Sequence, residues 1–228
     1  MAEGSLQRPS GRGRFITFEG GEGTGKSTQI KKLADRLKAA KLRIRVTREP
    51  GGSPGAEIMR HLVLSGMGKL LGPEAETLLF AAARDDHVRT VIQPALSQGV
   101  WVLCDRFADS TRAYQGSLGR VPDGLINAMQ RVTIGDLKPD LTIVLDLPVE
   151  IGLQRAAARR GSGTPDRFEA EKLSFHQGLR EAYRKIAAED PARCVLIDAN
   201  SDPDTVAARV WTALRERLLP TPASVVSA

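Results

Sequence analysis

The amino-acid sequence predicts an α/β fold, a three-layer α/β/α domain in which a five-stranded parallel sheet lies between two layers of helices. Five short apolar segments alternate with longer segments of helical composition. This alternation is typical of parallel sheets with right-handed crossovers. We interpret these segments as apolar on both sides of the pleat, so we expect strands buried on both faces. Aromatic residues make up only 4% of the chain, which disfavours an all-β sandwich or barrel because strands are rich in aromatic residues.

The predicted elements follow one another without an internal repeat or a long linker. FITFE at 15–19 predicts the first strand, and a glycine-rich turn leads from it into a helix over about 26–40. The segment 73–99 has a helical composition, rich in Ala, Leu and Glu. The remaining strands are predicted at 42–47, 101–105, 141–147 and 194–199.

A chain of 228 residues is long enough for one domain with a substantial core. We predict a single domain over 14–219, with flexible tails at 1–13 and 220–228. Chain ends rich in small residues and proline are commonly poorly ordered. One internal segment, 159–171, is too rich in glycine and charge for a core element.

Composition restricts the partners and the compartment. Lys and Arg number 33 against 27 Asp and Glu, a net charge of +6, which suits a nucleic acid, a membrane surface or a small anion. No apolar run reaches the roughly 18 residues of a membrane span, and no signal-peptide pattern is present. We therefore expect a cytoplasmic protein without a membrane partner.

The cysteines and histidines do not form a recognisable metal or disulfide pattern. Cys104 and Cys194 each lie beside an apolar run, without a Cys-x-x-Cys pair or a Cys/His cluster, so we expect two buried thiols and no structural zinc. His61, His87 and His176 are scattered along the chain, and we expect surface or hydrogen-bonded side chains.

Directly after the first strand, the chain contains a phosphate-binding motif. Gly20, Gly25, Lys26 and Ser27 match G-x-x-x-x-G-K-[ST] in the required order of strand, loop and helix. Glycines let successive backbone N–H groups turn towards a phosphate, and the helix presents its positive end to the same anion. Lys26, whose charge we expect to be solvated, reaches the β- and γ-phosphates, and the Ser27 hydroxyl is a ligand for Mg²⁺.

The motif predicts ATP binding by nine consecutive residues, and one of them is unusual. Glu22 places a carboxylate inside an anion-binding loop, where it repels the ligand unless it points elsewhere. Two interpretations stay open: a solvated surface carboxylate, or an acceptor for a hydroxyl of a second substrate. The predicted ATP-binding residues are Gly20, Gly21, Glu22, Gly23, Thr24, Gly25, Lys26, Ser27 and Thr28.

Charged residues follow two further strands. Asp105 and Arg106 end the third strand, and Arg48 and Glu49 end the second. Ligands of open parallel sheets bind beyond the carboxyl ends of the strands, so we expect Asp105 and Arg106 beside the phosphate loop if the first and third strands are neighbours. The Arg106 guanidinium presents a fixed fork of donors to a phosphate, and the Asp105 carboxylate can hold a water bound to Mg²⁺. Ion pairs without any ligand are the alternative.

Taken together, these motifs resemble the thymidylate kinase family of nucleoside monophosphate kinases, over about 14–215. The matching segments are FEGGEGTGKST (18–28), TREPGG (47–52), LLFAAAR (78–84), DRFADSTRAYQG (105–116) and PDLTIVLDLPVEIGLQRAAAR (139–159). The phosphate loop alone is widespread, but its combination with TREPGG and the DR segment is highly specific. The resemblance implies a P-loop fold with a short lid, and ATP-dependent phosphorylation of dTMP to dTDP with Mg²⁺ in dTTP synthesis.

The resemblance also assigns expected roles on the dTMP side. Phe80 stacks on thymine and Arg84 bonds a base carbonyl; the two are one helical turn apart and share a face, although core packing is the alternative for Phe80. Glu22 accepts from the deoxyribose 3′-hydroxyl, and Tyr114 packs where a ribose 2′-hydroxyl would project. The other dTMP-binding residues are Arg48 and Arg106 at the phosphate, and Ser110, Thr111 and Gln115 at the base and sugar.

The irregular segment 159–171 occupies the position of the family's lid. Gly23 stands where one type of the family has a loop arginine, so the chain resembles the mainly bacterial type whose catalytic arginine lies in the lid. Arg159 or Arg160 is the expected catalytic arginine, alongside Lys26 and Arg106. We expect Arg155, Arg159, Arg160 and Arg167 to repel one another until a polyphosphate binds between them. The family further implies a homodimer and a cis Glu49–Pro50 bond.

Two other functions stay open. A different nucleoside monophosphate kinase or a deoxynucleoside kinase would share the loop, but the latter needs a base for a neutral hydroxyl, whereas Arg48 and Arg106 indicate a charged acceptor. A nucleotide-hydrolysing switch would need a residue that orients water, and none is evident. No basic segment carries the interleaved aromatic residues of a nucleic-acid surface, so ATP and dTMP are the expected partners.

Overall fold

A computed structural model describes residues 11–165 and 167–219 of the chain. Its centre is one five-stranded sheet in the order β2-β3-β1-β4-β5, with every neighbouring pair parallel. The predicted parallel sheet is therefore confirmed. The strands are β1 (Phe15–Glu19), β2 (Ile44–Arg48), β3 (Trp101–Asp105), β4 (Leu141–Asp146) and β5 (Cys194–Asp198).

The expectation that all strands are buried on both faces is correct for the three inner strands and wrong for the two edges. Every residue of β1 is buried, whereas Val46 of β2 and Leu196 of β5 are 46% and 45% exposed. An edge strand lacks a neighbour on one side, and the helical layers do not cover it completely. β2 contains Arg45 and Arg48, which were a usable sign of an exposed edge, whereas the apolar start of β5 gave none.

Helices cover both faces of the sheet. The segment 73–99, uniformly helical in composition, is divided by a π-helical turn at Val88–Ile92. Pro94 follows this turn and has no N–H to donate, so the regular ladder cannot continue through it. The helices are α1 (Lys26–Ala39), α2 (Pro54–Leu64), α3 (Pro73–His87), α4 (Gln93–Ser97), α5 (Ala108–Thr111), α6 (Asp123–Thr133), α7 (Val149–Arg160), α8 (Leu173–Glu189) and α9 (Pro203–Leu218).

The largest apolar cluster lies between the sheet and helices α1 and α9, with Phe18, Leu37 and Leu214 fully buried within it. Burying a side chain of this size stabilises the fold by about 1.5–3 kcal/mol. Cys104 and Cys194 are both buried and unpaired, as expected. This packing holds the strands rigidly, so that their carboxyl ends form a fixed edge.

The sheet order places a crevice at that edge. β1 lies between β3 and β4. From β1 the chain crosses to β2, beyond β3, whereas from β4 it crosses to β5 on the opposite side. Open α/β sheets bind ligands where the direction of the connections reverses in this way. The predicted tails fall outside the described residues except for 11–13, where Gly13 N–H donates to the Leu96 carbonyl at 2.7 Å. Within the described residues, no helix is long and apolar enough to cross a membrane.

Candidate active site

The phosphate loop connects β1 to α1, as predicted. Gly23 and Gly25 both have positive φ, at 65° and 91°, a conformation that glycine adopts without strain. A Cβ at Gly23 would also overlap the carbonyl oxygen of Gly152 on α7. The loop is therefore packed against α7, and no arginine side chain fits at position 23.

Lys26 at the start of α1 is buried, with 8% of its surface exposed, so the expectation of a solvated charge is wrong. Its Nζ donates to the carbonyl oxygens of Gly20 at 3.1 Å and Gly21 at 2.9 Å. Burial and the neighbouring charge of Arg106 lower the pKa of Lys26. The loop thus holds a poorly solvated cation, which favours a phosphate as its next partner.

Ser27 and Asp105 lie together although 78 positions separate them in the chain. The Ser27 hydroxyl donates to Asp105 Oδ2 at 2.9 Å, because β1 and β3 are neighbours and Phe18 pairs with Asp105. A hydroxyl and a carboxylate are oxygen ligands of the kind that Mg²⁺ prefers, with phosphate oxygens and water completing its shell. The two residues therefore fit the predicted role at Mg²⁺.

Glu22 is neither solvated nor pointed away from the site. Its Oε1 accepts from Arg106 Nη2 at 2.8 Å and from the Tyr114 hydroxyl at 3.3 Å. Burial alone would raise the pKa of Glu22, but the charges of Arg106 and Lys26 outweigh it and hold that pKa below its usual range. The interpretation as a solvated surface carboxylate is wrong. Glu22 is an ionised acceptor at the junction of the loop and β3.

A buried carboxylate that the sequence analysis missed supports this junction. Glu19, the last residue of β1, is fully buried and accepts from the Phe107 N–H at 2.8 Å, the Ser110 hydroxyl at 2.6 Å and the Tyr183 hydroxyl at 3.2 Å. Burial and the charge of Asp109 raise the pKa of Glu19 to about 7. The position of Glu19, at the end of a strand and directly before the glycine loop, could have identified it from the sequence. Nothing in the sequence indicated that Tyr183, far along the chain, belongs to the same site.

On the other side of the cleft, Arg84 is almost fully buried and held from three directions. Nε donates to Glu49 Oε2 at 2.7 Å, Nη1 to the Thr111 hydroxyl at 3.1 Å and Nη2 to the Phe107 carbonyl at 3.1 Å. Such a set of contacts fixes the plane of the guanidinium. Arg84 is therefore a rigid donor at the wall of the cleft.

Aromatic rings line the same end of the cleft. Phe168 of the lid lies 6.5 Å from Phe80 and 5.1 Å from Tyr114, measured between ring centroids. Phe80 is half-buried and belongs to none of the buried apolar clusters, so the core-packing alternative is wrong. Phe168 was absent from the predicted site residues, although it is the aromatic residue of the lid.

These residues enclose one cleft of about 410 Å³. Of the residues predicted from the sequence, Gly20, Gly21 and Arg160 do not line it. Gly20 and Gly21 instead line a small separate cavity beside β4 and α8. The predicted residues that do line it are Glu22, Gly23, Thr24, Gly25, Lys26, Ser27, Thr28, Arg48, Phe80, Arg84, Asp105, Arg106, Ser110, Thr111, Tyr114, Gln115 and Arg159.

The expectation of mutual repulsion among the four arginines of α7 and the lid is wrong, because each has a partner. Arg159 and Arg160 both pair with Glu169, at 3.2 and 2.6 Å. Arg167 forms a two-fold contact with Glu76 of α3, and Arg155 donates to the Ala199 carbonyl at 3.4 Å. Acidic residues within and beside the lid compensate its charge, which counting arginines alone does not reveal.

Arg48 also has a protein partner, Glu57 of α2, at 2.8 Å. The pair is about half exposed on both sides, so it contributes little stability and a phosphate can displace it. The Glu49–Pro50 peptide bond is cis, as the resemblance implied. The loop 47–52 brings Arg48, Glu49 and Pro50 to the cleft.

Comparison with known proteins agrees with this arrangement. The family model described as thymidylate kinase matches residues 18–210, which include the phosphate loop, the DR segment and the lid. The chain belongs to the thymidylate kinase family. It is accordingly a phosphotransferase, and the reaction of the family is the ATP-dependent phosphorylation of dTMP to dTDP.

Similar thymidylate kinases match this chain over nearly its whole length. That of Bradyrhizobium diazoefficiens is 89% identical over 227 residues and covers 100% of both chains. That of Nitrobacter winogradskyi is 75% identical, over 96% of this chain and 95% of its own. Among solved structures, the thymidylate kinase of Ehrlichia chaffeensis superposes with a TM-score of 0.72 at 32% identity, over 89% of this chain and 99% of its own.

Proposed function

We propose that the cleft transfers the terminal phosphoryl group of ATP to dTMP, with Mg²⁺, as a step in dTTP synthesis. One observation carries the assignment of roles: Arg106 of the acceptor side and the phosphate loop meet through Glu22 at 2.8 Å. A phosphate held by Arg106 and one held by the loop are then neighbours. Phosphoryl transfer needs this in-line proximity more than it needs a base.

The ATP side consists of the phosphate loop and a second cavity. The loop residues 20–28 cradle the phosphates, with Lys26 at the transferring end. Beyond them, an open cavity of about 540 Å³ is lined by Gly25, Thr28, Arg155 and Pro203, among others. We assign the nucleoside of ATP to this cavity because it continues directly from the loop.

The dTMP side is the end of the 410 Å³ cleft that holds the aromatic rings. Phe80 offers a ring face to the thymine, and Arg84 offers a fixed donor to a base carbonyl. Arg48 and Arg106 hold the phosphate. Glu22 accepts from the 3′-hydroxyl, while Ser110, Thr111, Tyr114 and Gln115 enclose the base and sugar.

The metal site consists of Ser27 and, through water, Asp105. When bound, Mg²⁺ supplies charge neutralisation between the phosphates of ATP. The protein contributes Lys26, Arg106 and the lid arginines to the same task. Arg159 lines the cleft and Arg160 does not, so we assign the catalytic contact in the lid to Arg159. The acceptor oxygen of dTMP is already anionic, so no general base is required.

An apolar surface supports the expected homodimer. Large side chains are exposed on α2, the 3₁₀ turn at Met67–Leu71, α3 and α6, namely Ile58, Leu70, Leu78 and Val132 at 64%, 87%, 55% and 83%. Exposed apolar patches of this kind mark protein interfaces. We propose that two copies pair through this surface, in the cytoplasm. Sedimentation of the wild type and of Leu78→Glu tests this proposal. We expect a dimeric wild type and a monomeric variant, and a monomeric wild type would contradict the proposal.

The reaction is tested by coupled release of ADP with each acceptor in turn. Purified enzyme with ATP and Mg²⁺ receives dTMP, dUMP, dCMP, thymidine or no acceptor. We expect turnover to be fastest with dTMP and absent with thymidine, since Arg48 and Arg106 need a phosphate. If ADP is released without an acceptor as fast as with dTMP, the protein is a nucleotide hydrolase instead. Preference for thymidine would indicate a nucleoside kinase.

A further inference from the structure

His87, the last residue of α3, is fully buried and does not line the cleft. A buried imidazole requires partners for both ring nitrogens. One loop provides both: Nε2 lies 2.7 Å from the Thr47 hydroxyl, and Nδ1 lies 3.0 Å from Glu49 Oε1. A carboxylate oxygen accepts, so Nδ1–H donates to Glu49 Oε1, and Nε2 and the Thr47 hydroxyl form the second hydrogen bond.

The same loop touches the ring a third time. Gly52 has a positive φ of 89°, and a Cβ there would lie 2.6 Å from His87 Nε2. The loop 47–52 therefore contacts the imidazole at its start, middle and end. Any side chain at position 52 would force the ring or the loop to move.

Glu49 transmits the position of the ring to Arg84. Its two oxygens have different partners: Oε1 accepts from His87 and Oε2 from Arg84 Nε at 2.7 Å. Glu49 and Arg84 are only 6% and 4% exposed, so water cannot replace either contact. Removing His87 leaves Glu49 Oε1 unpaired, so the carboxylate is free to turn. Arg84 then loses the fixed partner of Nε, one of the three contacts that hold the guanidinium in its plane.

We propose that His87 is a positioning residue for recognition of the acceptor base, acting through Glu49 on the orientation of Arg84. This inference rests on the proposed role of Arg84 at a base carbonyl. A guanidinium held in one plane can donate to the carbonyl at ring position 4 of thymine. It opposes the amino group that cytosine carries there, because two donors then face each other.

A purely structural role makes different predictions. A buried histidine that only anchors the loop would, when replaced, lower stability and affect all acceptors alike. We call the chain of contacts from His87 through Glu49 to Arg84 the relay. The relay instead predicts that only the preference for dTMP over dCMP falls, because these two acceptors differ at ring position 4. dUMP serves as an internal control, because it differs from dTMP only in the 5-methyl group and keeps the carbonyl.

The first test is His87→Leu in the full chain, measured with ATP, Mg²⁺ and dTMP, dUMP or dCMP. We expect the KM for dTMP to rise about tenfold, the size of one lost charged hydrogen bond. The KM for ATP and the kcat should stay within about twofold. The preference for dTMP over dCMP should fall about tenfold, and that for dTMP over dUMP should not change. An unchanged preference over dCMP would overturn the relay.

Two polar variants separate the contacts of the ring and decide the matter if His87→Leu does not fold. The amide nitrogen of His87→Asn reaches the place of Nδ1 and can donate to Glu49, whereas that of His87→Gln reaches the place of Nε2, towards Thr47. We expect Asn to retain most of the selectivity and Gln to lose it. Equal selectivity in both variants would contradict a route through Glu49.

Thr47→Val is the matched control, because it removes only the contact to Nε2. We expect a lower melting temperature with selectivity close to that of the wild type. A loss of selectivity equal to that of His87→Leu would show that the loop as a whole, and not the Glu49 contact, is responsible, and would overturn the relay.

Arg84→Lys distinguishes failure of the relay from failure of the proposed base contact. Alone, it should reduce the preference for dTMP over dCMP; if it does not, the role of Arg84 is wrong. If Arg84→Lys reduces that preference and His87→Leu does not, only the relay is wrong. In the double variant, the relay predicts no loss beyond that of Arg84→Lys, whereas independent, additive losses would overturn it.

Discussion

Arg106 donates from Nη2 to Glu22 Oε1 at 2.8 Å, and this ion pair joins the end of β3 to the phosphate loop. Both side chains are about one-sixth exposed, so the pair is partly shielded from water and each charge depends on the other. A residue of the ATP-binding loop and a residue proposed to hold dTMP thus share one contact. The site is organised around this junction.

Lys26→Ala should abolish turnover. Lys26 is held over the phosphate loop by the carbonyls of Gly20 and Gly21, and removing one positioned cation at a transferring phosphoryl group typically lowers kcat by at least about 100-fold. Lys31→Ala, an exposed position on the same helix, is the control and should be close to wild type. A folded Lys26→Ala protein with near-normal kcat would contradict the ATP-binding assignment.

Arg159→Ala should lower kcat by about 100-fold or more, with little change in the KM for dTMP, because the contact is made mainly in the transition state. Arg160→Ala should have an effect of only a few-fold, since Arg160 does not line the cleft. Both arginines pair with Glu169, so each serves as the control for the other. The reverse order of effects at saturating substrates would move the catalytic contact to Arg160.

Tyr114 should discriminate against ribonucleotides by its ring. Tyr114 is buried against Phe168 and Tyr183, so a 2′-hydroxyl placed against the ring would lack both space and a partner, at a cost of about 1–3 kcal/mol. Tyr114→Ala should narrow the preference for dTMP over its ribo analogue, whereas Tyr114→Phe keeps the ring and should preserve it. If the ratio of kcat/KM for dTMP to kcat/KM for the ribo analogue is the same in the wild type and both variants, another residue is responsible for the discrimination.

Asp146 should make stability depend on pH in acid. Hydrogen bonds from Arg180 and Arg184 lower the pKa of Asp146 from 3.8 to about 2. A depressed pKa means that the ionised pair stabilises the folded state above about pH 4 and that this contribution is lost as the pH falls towards 2.

Asp146→Asn should therefore lower the free energy of unfolding at pH 7 by about 1 kcal/mol, allowing for solvent screening of a partly exposed group. It should also flatten the pH dependence between about 4 and 2. Urea unfolding at stepped pH measures both effects. Asp204→Asn, which removes an exposed pair with Lys32, is the control; an equal loss in both variants would show that Asp146 contributes no more than a surface charge.

Much of this architecture follows from patterns that are local in the chain. The order of strand, glycine loop and helix at 15–39 requires only neighbouring residues, because backbone geometry and helix polarity act over short distances. Alternating strands and helices then restrict the topology to a parallel sheet, whose strand ends collect at one edge. The meeting of Ser27 with Asp105 followed from these patterns only on the condition that β1 and β3 are neighbours, which the sheet order supplies.

Only the tertiary structure decided which polar side chains pair. Glu19 meets Tyr183 across 164 positions, Glu49 meets both His87 and Arg84, and Glu169 holds two lid arginines. The type of a residue determines which hydrogen bonds it can form, but its partner depends on how helices pack against the sheet. Burial, which makes these pairs strong and specific, is likewise a property of the packed chain, and no pattern in a short stretch of sequence contains it.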